Sequence, residues 1–281
     1  MVYGSELEAR MVKNRIKAAW SRQQPALNGW LSIPNGFSAE IMAAQAFDSV
    51  TVDAQHGVVG YTDAVRMFQA MRASNVTPVA RVPWLEPGII MKMLDAGAYG
   101  IICPMVNNRK QAQEFVSYVR YPPDGIRSFG PTRAIFAGGP NYFAEANENV
   151  VCLAMVETAE AYANLTEIAA TPGLDGIYIG PADLTLGLTD GRLAPGLDRE
   201  EQEIVDALHR IRKVCHDAGI KAGIHTVSTE YAVKAIEWGF DLVTLISDVR
   251  LLAAAASAHV DEVRRRIGIE QQSENAKTTS Y

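Results

Sequence analysis

The stretch "EPGIIMKMLDAGAYGIICPMV" (residues 86–106) holds one complete unit of the chain's organisation. Ile89, Ile90, Met93 and Leu94 recur at helical spacing and form one apolar face. Gly97 then stands where a helix commonly ends in the left-handed conformation. "GIICPM" (100–105) follows, apolar without alternation, as a strand reads when a parallel sheet buries both its faces.

Working outward, the unit repeats. Seven further runs have the same doubly buried character: "ALNGWLSI" (26–33), "SVTVD" (49–53), "TPVARV" (77–82), "VCLAMVE" (151–157), "GIYIG" (176–180), "KAGIHT" (221–226) and "DLVTLI" (241–246). Helical periods lie between them, as in "GYTDAVRMFQAMRAS" (60–74), "REEQEIVDALHRIRKVCHDAG" (199–219) and "STEYAVKAIEWG" (228–239). The junctions "DAGA", "DAGI" and "EWGF" reuse one helix-to-strand turn at Gly97, Gly219 and Gly239. Eight β/α alternations in roughly 250 residues predict an α/β fold, a single (β/α)8 TIM barrel. A doubly wound open sheet would show a glycine-rich phosphate turn after its first strand, and "LSIPNGFS" is not one. The expected boundaries are an amphipathic N-terminal helical extension over 1–24, the barrel over 25–267 and a polar tail over 268–281. Residues 120–149, rich in Gly, Pro and aromatics, predict a structured βα excursion beside the barrel mouth.

Composition narrows the function. The 281 residues are 48% hydrophobic and 21% charged, as in an ordinary globular protein. A formal net charge of −6 argues against nucleic acid as a partner, because phosphate binding needs a basic surface. No apolar run is long enough to span a bilayer, and the N-terminus lacks the apolar core of a signal peptide. Cys103, Cys152 and Cys215 are scattered and read as buried free thiols of a cytoplasmic protein.

In a TIM barrel the chemistry stands at the C-terminal ends of the strands. Those ends carry Asp53, Gln55 and His56 after strand 2, Arg81 on strand 3, Glu157 after strand 5, Asp183 in "IGPADL" after strand 6, and His225 on strand 7. Each has a plainer reading beside the functional one. Asp183 can cap a helix, Glu157 can sit in a first turn, Arg81 can close a barrel ion pair, and His56 can be a hydrogen-bonded loop residue. His225 reads as structural rather than catalytic, and His209, His216 and His259 as helix-face residues. Glu157, however, follows six apolar residues directly, where a charge is costly without a partner. Two carboxylates without His or Cys at ligand spacing suit a hard cation, Mg²⁺ or Mn²⁺, better than zinc. The N–H groups opening the helix at "GPADL" suit a substrate carboxylate. A 2-oxo acid, whose carboxylate and keto oxygen chelate together, fits both features.

Taken together, "VDAQHG", "PVARVP", "MLDAGAYGIICPMV", "YPPDGIRSFG", "MVET" and "IGPADL" resemble the class II pyruvate aldolases of the HpcH/HpaI family, such as 4-hydroxy-2-oxoheptanedioate aldolases, over about residues 24–265. The resemblance implies a metal-dependent aldolase. It would interconvert a 4-hydroxy-2-oxo acid with pyruvate or hydroxypyruvate and an aldehyde, through an enolate formed at the metal. It implies Glu157 and Asp183 as ligands of Mg²⁺ or Mn²⁺, with Co²⁺ also acceptable. It implies Arg81 at the enolate oxygen, His56 as acid–base group oriented by Asp53, and Asp95 reaching a neighbouring subunit's site. Gly180, Pro181, Ala182 and Asp183 would hold the substrate carboxylate, with Trp30 and Gln55 also at the substrate. A homo-oligomer, a trimer of dimers with sites near its interfaces, is implied as well. Two positions depart from the common family pattern: Gln55 stands where many members carry Glu, and Met155 where many carry Gln. The rival readings are a Schiff-base aldolase using Lys221, the lone lysine in a predicted strand, an acyl-CoA lyase of the same superfamily, and a non-catalytic oxo-acid-binding barrel.

Overall fold

The computed structural model describes residues 14–268, so the outer part of the expected N-terminal helix and nearly all of the tail lie outside the described residues. Eight parallel strands close into a barrel in sequence order: β1 (Ala26–Leu31), β2 (Ser49–Asp53), β3 (Thr77–Arg81), β4 (Gly100–Cys103), β5 (Val151–Val156), β6 (Gly176–Ile179), β7 (Lys221–His225) and β8 (Leu242–Ser247). The predicted TIM barrel is the observed fold. A short helix α1 (Arg15–Ser21) precedes β1. The helices α2 (Gly36–Ala43), α3 (Tyr61–Met71), α4 (Pro87–Asp95) and α5 (Arg109–Val119) follow the first four strands in turn. Then come α6 (Ala134–Gly138) and α7 (Tyr142–Asn149) before β5, α8 (Ala159–Ala163) and α9 (Leu165–Ala169) after it, and α10 (Pro181–Thr189) and α11 (Gln202–Asp217) after β6. The series ends with α12 (Thr229–Glu237) and α13 (Asp248–Arg266). Among the described residues no helix is long and apolar enough to cross a membrane.

The opening stretch forms as its residues dictate. Glu86 caps α4 by accepting the N–H groups of Gly88 and Ile89, and Pro87 occupies the first turn, where no N–H is needed. Ile90, Met93 and Leu94 are buried, and Gly97, at φ +109°, turns the chain into β4. Gly219 and Gly239 close α11 and α12 at φ +76° and +93°, so the reused junction is real. β2 and β5 are buried along their whole length.

The largest core lies between strands and helices. Another gathers Tyr99, Tyr121, Ala134, Tyr142 and Ala146 around the 120–149 excursion. A third fills the barrel itself with Trp30, Val79, Ile102, Leu153, Met155 and Tyr178. Ile16 and Ala19 of α1 pack into that inner core, so α1 covers the N-terminal end of the barrel rather than standing apart from it. Asn14 fixes it there, donating to the carbonyls of Tyr99 and Asn149 at 2.8 and 2.7 Å.

One expectation is corrected. The excursion over 120–149 joins the end of α5 to the start of β5, so it belongs to the N-terminal end of the barrel and not to the mouth. The helix α5, capped by Asn108 onto the N–H of Gln111, has already carried the chain down the outside of the barrel. Arg120 confirms the placement by donating to the carbonyls of Val150 and Gly173, beside the starts of β5 and β6.

Candidate active site

At the C-terminal end of the strands lies a cavity of about 770 Å³. Asp53 and Arg81 end β2 and β3 and are register partners, which sets their side chains next to one another. Arg81 donates from Nε and Nη2 to the two oxygens of Asp53 at 2.8 and 2.6 Å. Trp30 Nε1 donates to the same carboxylate at 3.2 Å, and Arg81 lies over the Trp30 ring, 4.8 Å from its centre. Burial pushes the Asp53 carboxyl up, but the Arg81 guanidinium and the N–H groups of His56 and Gln55 outweigh it and hold the group below its usual range.

Asp53 therefore reaches His56 through the main chain, accepting its N–H at 3.2 Å, and not through the imidazole as the expected dyad required. The reason is geometric: Arg81, one strand over and in register, already takes both carboxylate oxygens. His56 is exposed and lines the rim of the cavity.

Glu157 and Asp183 face the other side. Glu157 is buried just past β5, and its Oε1 accepts the N–H of Met105 at 2.8 Å. Met105 is a non-glycine residue in the left-handed region, φ +56°, a local strain that aims its N–H at the carboxylate. Burial pushes the Glu157 carboxyl up to about 7; the Met105 N–H opposes this, the Asp183 charge adds to it, and Arg81 acts weakly against it. Gly180 makes room for the carboxylate: a Cβ there would stand 2.6 Å from Glu157 Oε2. Asp183 lies inside the first turn of α10, whose N-cap position is Gly180, so Asp183 does not take the capping position considered for it.

Neither acid has an ion pair among the described residues, and no group of three or more His, Cys, Asp or Glu converges there. Two adjoining carboxylates with oxygens to spare fit a hard divalent cation, whose other positions go to water or substrate oxygens. A zinc site would call for nitrogen or sulfur ligands.

The floor joins Trp30 and His225 to two residues without a sequence signal, Tyr178 and Thr244. Tyr178, one of the apolar-looking residues of β6, donates to Thr244 Oγ1 at 2.6 Å. His225 Nδ1 lies 3.3 Å from the Tyr178 hydroxyl, and the imidazole meets Trp30 edge-on, 4.6 Å between ring centres. With the tyrosine proton directed at Thr244, Nδ1 is the donor in that contact. Burial foremost, then the Arg81 and Arg250 charges, bring His225 down to about 3, so it stays neutral, as a structural role requires.

Of the expected residues, Trp30, Asp53, His56, Arg81, Glu157, Gly180, Ala182 and Asp183 line this one cavity. Gln55 does not line it, and its Oε1 is buried without a partner. Pro181 is buried and begins α10. Asp95 ends α4 far from the mouth of its own barrel and pairs with Arg127 at 2.7 Å. Lys221 opens β7 at the opposite end and pairs with Asp241 at 2.9 Å, which removes it as a Schiff-base lysine.

A family profile described as HpcH/HpaI aldolase/citrate lyase matches residues 29–255, the barrel that carries these strand ends. The chain belongs to that family. A relative from Rhizorhabdus wittichii, a hydroxypyruvate/pyruvate aldolase, is 42% identical over 251 residues, covering 89% of this chain and 99% of its own. A 5-keto-4-deoxy-D-glucarate aldolase from Klebsiella pneumoniae is 32% identical over 254 residues, covering 90% and 97%. The crystal structure of a family protein from Burkholderia cenocepacia superposes with a TM-score of 0.82 at 30% identity, covering 89% of this chain and 99% of that one.

Proposed function

We propose that this chain is a class II aldolase, a carbon–carbon lyase that interconverts a 4-hydroxy-2-oxo acid with pyruvate or hydroxypyruvate and an aldehyde. The observation that carries the reading is the pairing of Glu157 with Asp183 in a cavity that also presents Arg81 and His56. Glu157 and Asp183 would hold Mg²⁺, Mn²⁺ or Co²⁺, which when bound withdraws charge from the keto oxygen as a Lewis acid.

The chain's own groups do the rest. The N–H groups of Ala182 and Asp183 open α10 and orient the substrate carboxylate. Arg81, clamped by Asp53, leaves Nη1 without a partner among the described residues, free to meet the oxygen on which enolate charge develops. In the synthetic direction His56 takes a proton from the carbon beside the keto group. The electron pair left behind forms the bond to the aldehyde carbon, and the resulting alkoxide receives a proton back. Cleavage runs these steps in reverse. Trp30, Met155 and Tyr178 give the floor a largely dry lining, which strengthens each charge interaction.

The test is aldol addition of pyruvate to a panel of aldehydes, with added Mg²⁺ or with chelator, for the native chain, Glu157→Gln and Asp183→Asn. Turnover that chelator abolishes and each substitution lowers at least 100-fold is expected. Turnover indifferent to chelator and to both substitutions overturns the reading. Borohydride with pyruvate is expected to trap no adduct.

The reading includes a homo-oligomer, a trimer of dimers, in a cytoplasmic setting. It is supported by α13, which buries Asp248 alone and exposes Leu251, Leu252, Val260 and Val263, a face suited to a second copy. Sedimentation velocity is expected to give a hexamer; a monomer at micromolar concentration overturns this part.

A further inference from the structure

Arg250 stands in the first turn of α13, just past β8, and lines the mouth cavity. Its Nη2 is closed off from solvent and has no hydrogen-bond partner among the described residues. Among the described residues no acid pairs with it. Arg81 is held by Asp53, Arg120 by Asp175, Arg127 by Asp95 and Arg199 by Glu201. Arg133 and Arg212, equally half-buried and also without an ion pair among the described residues, do not line this cavity, so it is position that sets Arg250 apart. The acid nearest in sequence, Asp248, is fully engaged. It accepts the N–H groups of Ser32, Ile33 and Val249 and the hydroxyl of Ser38. The cation is therefore not neutralised by its own surroundings, and a buried donor without an acceptor is a cost that a ligand can remove.

Position gives that cation a purpose. Glu157 and Asp183 follow β5 and β6, whereas Arg250 follows β8, so the cavity has an acidic side and a basic side. Val58, Leu197, Ile246 and Val249 line the same cavity and give it apolar walls. Its charge reaches the floor, where it adds to burial in keeping His225 neutral. A three-carbon oxo acid held on the acidic side fills only part of about 770 Å³, and the remainder is room for the second reactant.

We propose that Arg250 determines specificity for the acceptor aldehyde by binding a carboxylate at the end remote from the aldehyde carbon. The proposal rests on the aldolase reading for the naming of the two halves. A single planar guanidinium suits a carboxylate, which it can meet with two parallel N–H donors. A phosphate dianion facing two nearby acids suits the site less well.

The test separates the two readings. Calorimetry with Mg²⁺ present compares 2-oxoglutarate with 2-oxopentanoate, which differ only in having a carboxylate or a methyl group at the far end. The native chain is expected to bind 2-oxoglutarate at least tenfold more tightly. Arg250→Met is expected to bring that ratio close to one, and Arg250→Lys to keep part of it. Arg250→Gln serves as a second neutral variant should the methionine variant fold poorly by circular dichroism. In turnover with pyruvate, the ratio of kcat/KM for glyoxylate over propanal is expected to fall at least tenfold in Arg250→Met, mainly through KM for the aldehyde. Equal binding of the two acids by the native chain, binding of neither, or a ratio unchanged in both neutral variants overturns the proposal. Loss of the aldolase reading shows differently: no aldehyde turns over, while the binding ratio still reports on Arg250.

Discussion

The two ends of the barrel carry the same kinds of charged side chain and treat them in opposite ways. At the N-terminal end the acids that precede β2, β6 and β8 are matched. Asp175 receives Arg120 at 2.7 Å and Lys17 at 2.8 Å. Asp241 receives Lys221 at 2.9 Å and His216 at 2.8 Å, and Asp48 receives Arg15 at 3.1 Å. Several of these acids also accept main-chain N–H groups, as Asp175 does from Cys152 and Asp48 from Leu27. Around the mouth cavity Asp53 is closed with Arg81, while Glu157, Asp183 and Arg250 have no ion pair among the described residues. Matched charges fasten the strand starts to their helices. Unmatched ones are held at a cost that a ligand offsets. The difference supports the mouth as the end that meets a substrate, on grounds separate from any relative.

The largest expected effect breaks the acidic side. Glu157→Gln removes one of two like charges from a buried place, so kcat/KM should fall by at least about 1,000-fold, roughly 4 kcal/mol of barrier. Stability without added metal at pH 7.5 should hold or rise, because a carboxyl pushed up to about 7 is ionised there against its surroundings. Steady-state kinetics and urea midpoints on the same preparation check both halves. A stability loss as large as the activity loss would erase the contrast between the ends.

The converse change belongs at the other end. Arg120→Met leaves Asp175 short of a partner and frees the carbonyls of Asn147, Val150 and Gly173 from their donor. Breaking an enclosed pair on one side costs about 3 kcal/mol. The urea midpoint should drop accordingly, while activity per folded molecule stays within a factor of about two, since no part of this cluster lines the cavity.

Gly180→Ala sharpens the comparison with a single methyl group. The backbone there, at φ −95°, accepts alanine without strain. The new Cβ would stand 2.6 Å from Glu157 Oε2 and 3.0 Å from Met155 Cε, so the carboxylate must shift. Misplacement of that order costs about 10- to 100-fold in rate. The melting temperature should move by only a few degrees, and a variant with full activity would show that the exact seat of Glu157 is unimportant.

How far the sequence could be read follows the same division. The barrel was legible because doubly buried strands leave unbroken apolar runs, and because Gly97, Gly219 and Gly239 mark one repeated turn. The rim acids were legible because a charge directly after six apolar residues demands a partner. Three features were not. Tyr178 hides in an apolar run, its hydroxyl satisfied inside the barrel by Thr244. Met105 contributes a main-chain N–H at positive φ, which no side-chain pattern announces. The excursion over 120–149 was placed at the wrong end because α5, polar over much of its surface, went unread as a helix. Whether a charge is matched is a property of the folded chain, which no residue pattern announces.

The smallest effect tests the neutral floor between the two sides of the mouth. His225 is held down to about 3, chiefly by burial, whereas in the unfolded chain it returns to the ordinary imidazole range near 6.5. Above that range both states are neutral and the residue contributes no pH dependence. Between about 6.5 and 3 the unfolded chain takes up a proton that the folded chain excludes, so stability falls as pH falls, by up to about 1.4 kcal/mol per pH unit. At pH 5 the loss from this residue alone should approach about 2 kcal/mol relative to pH 7.5. His225→Gln removes the titrating group while keeping an amide able to donate to Tyr178, so its urea midpoint should decline less over the same interval. An identical decline in variant and native chain would mean that the folded floor takes up a proton at His225 as readily as the unfolded chain does, and the mouth would then lose the neutral gap between its acidic and basic sides on which its use of an anionic acceptor depends.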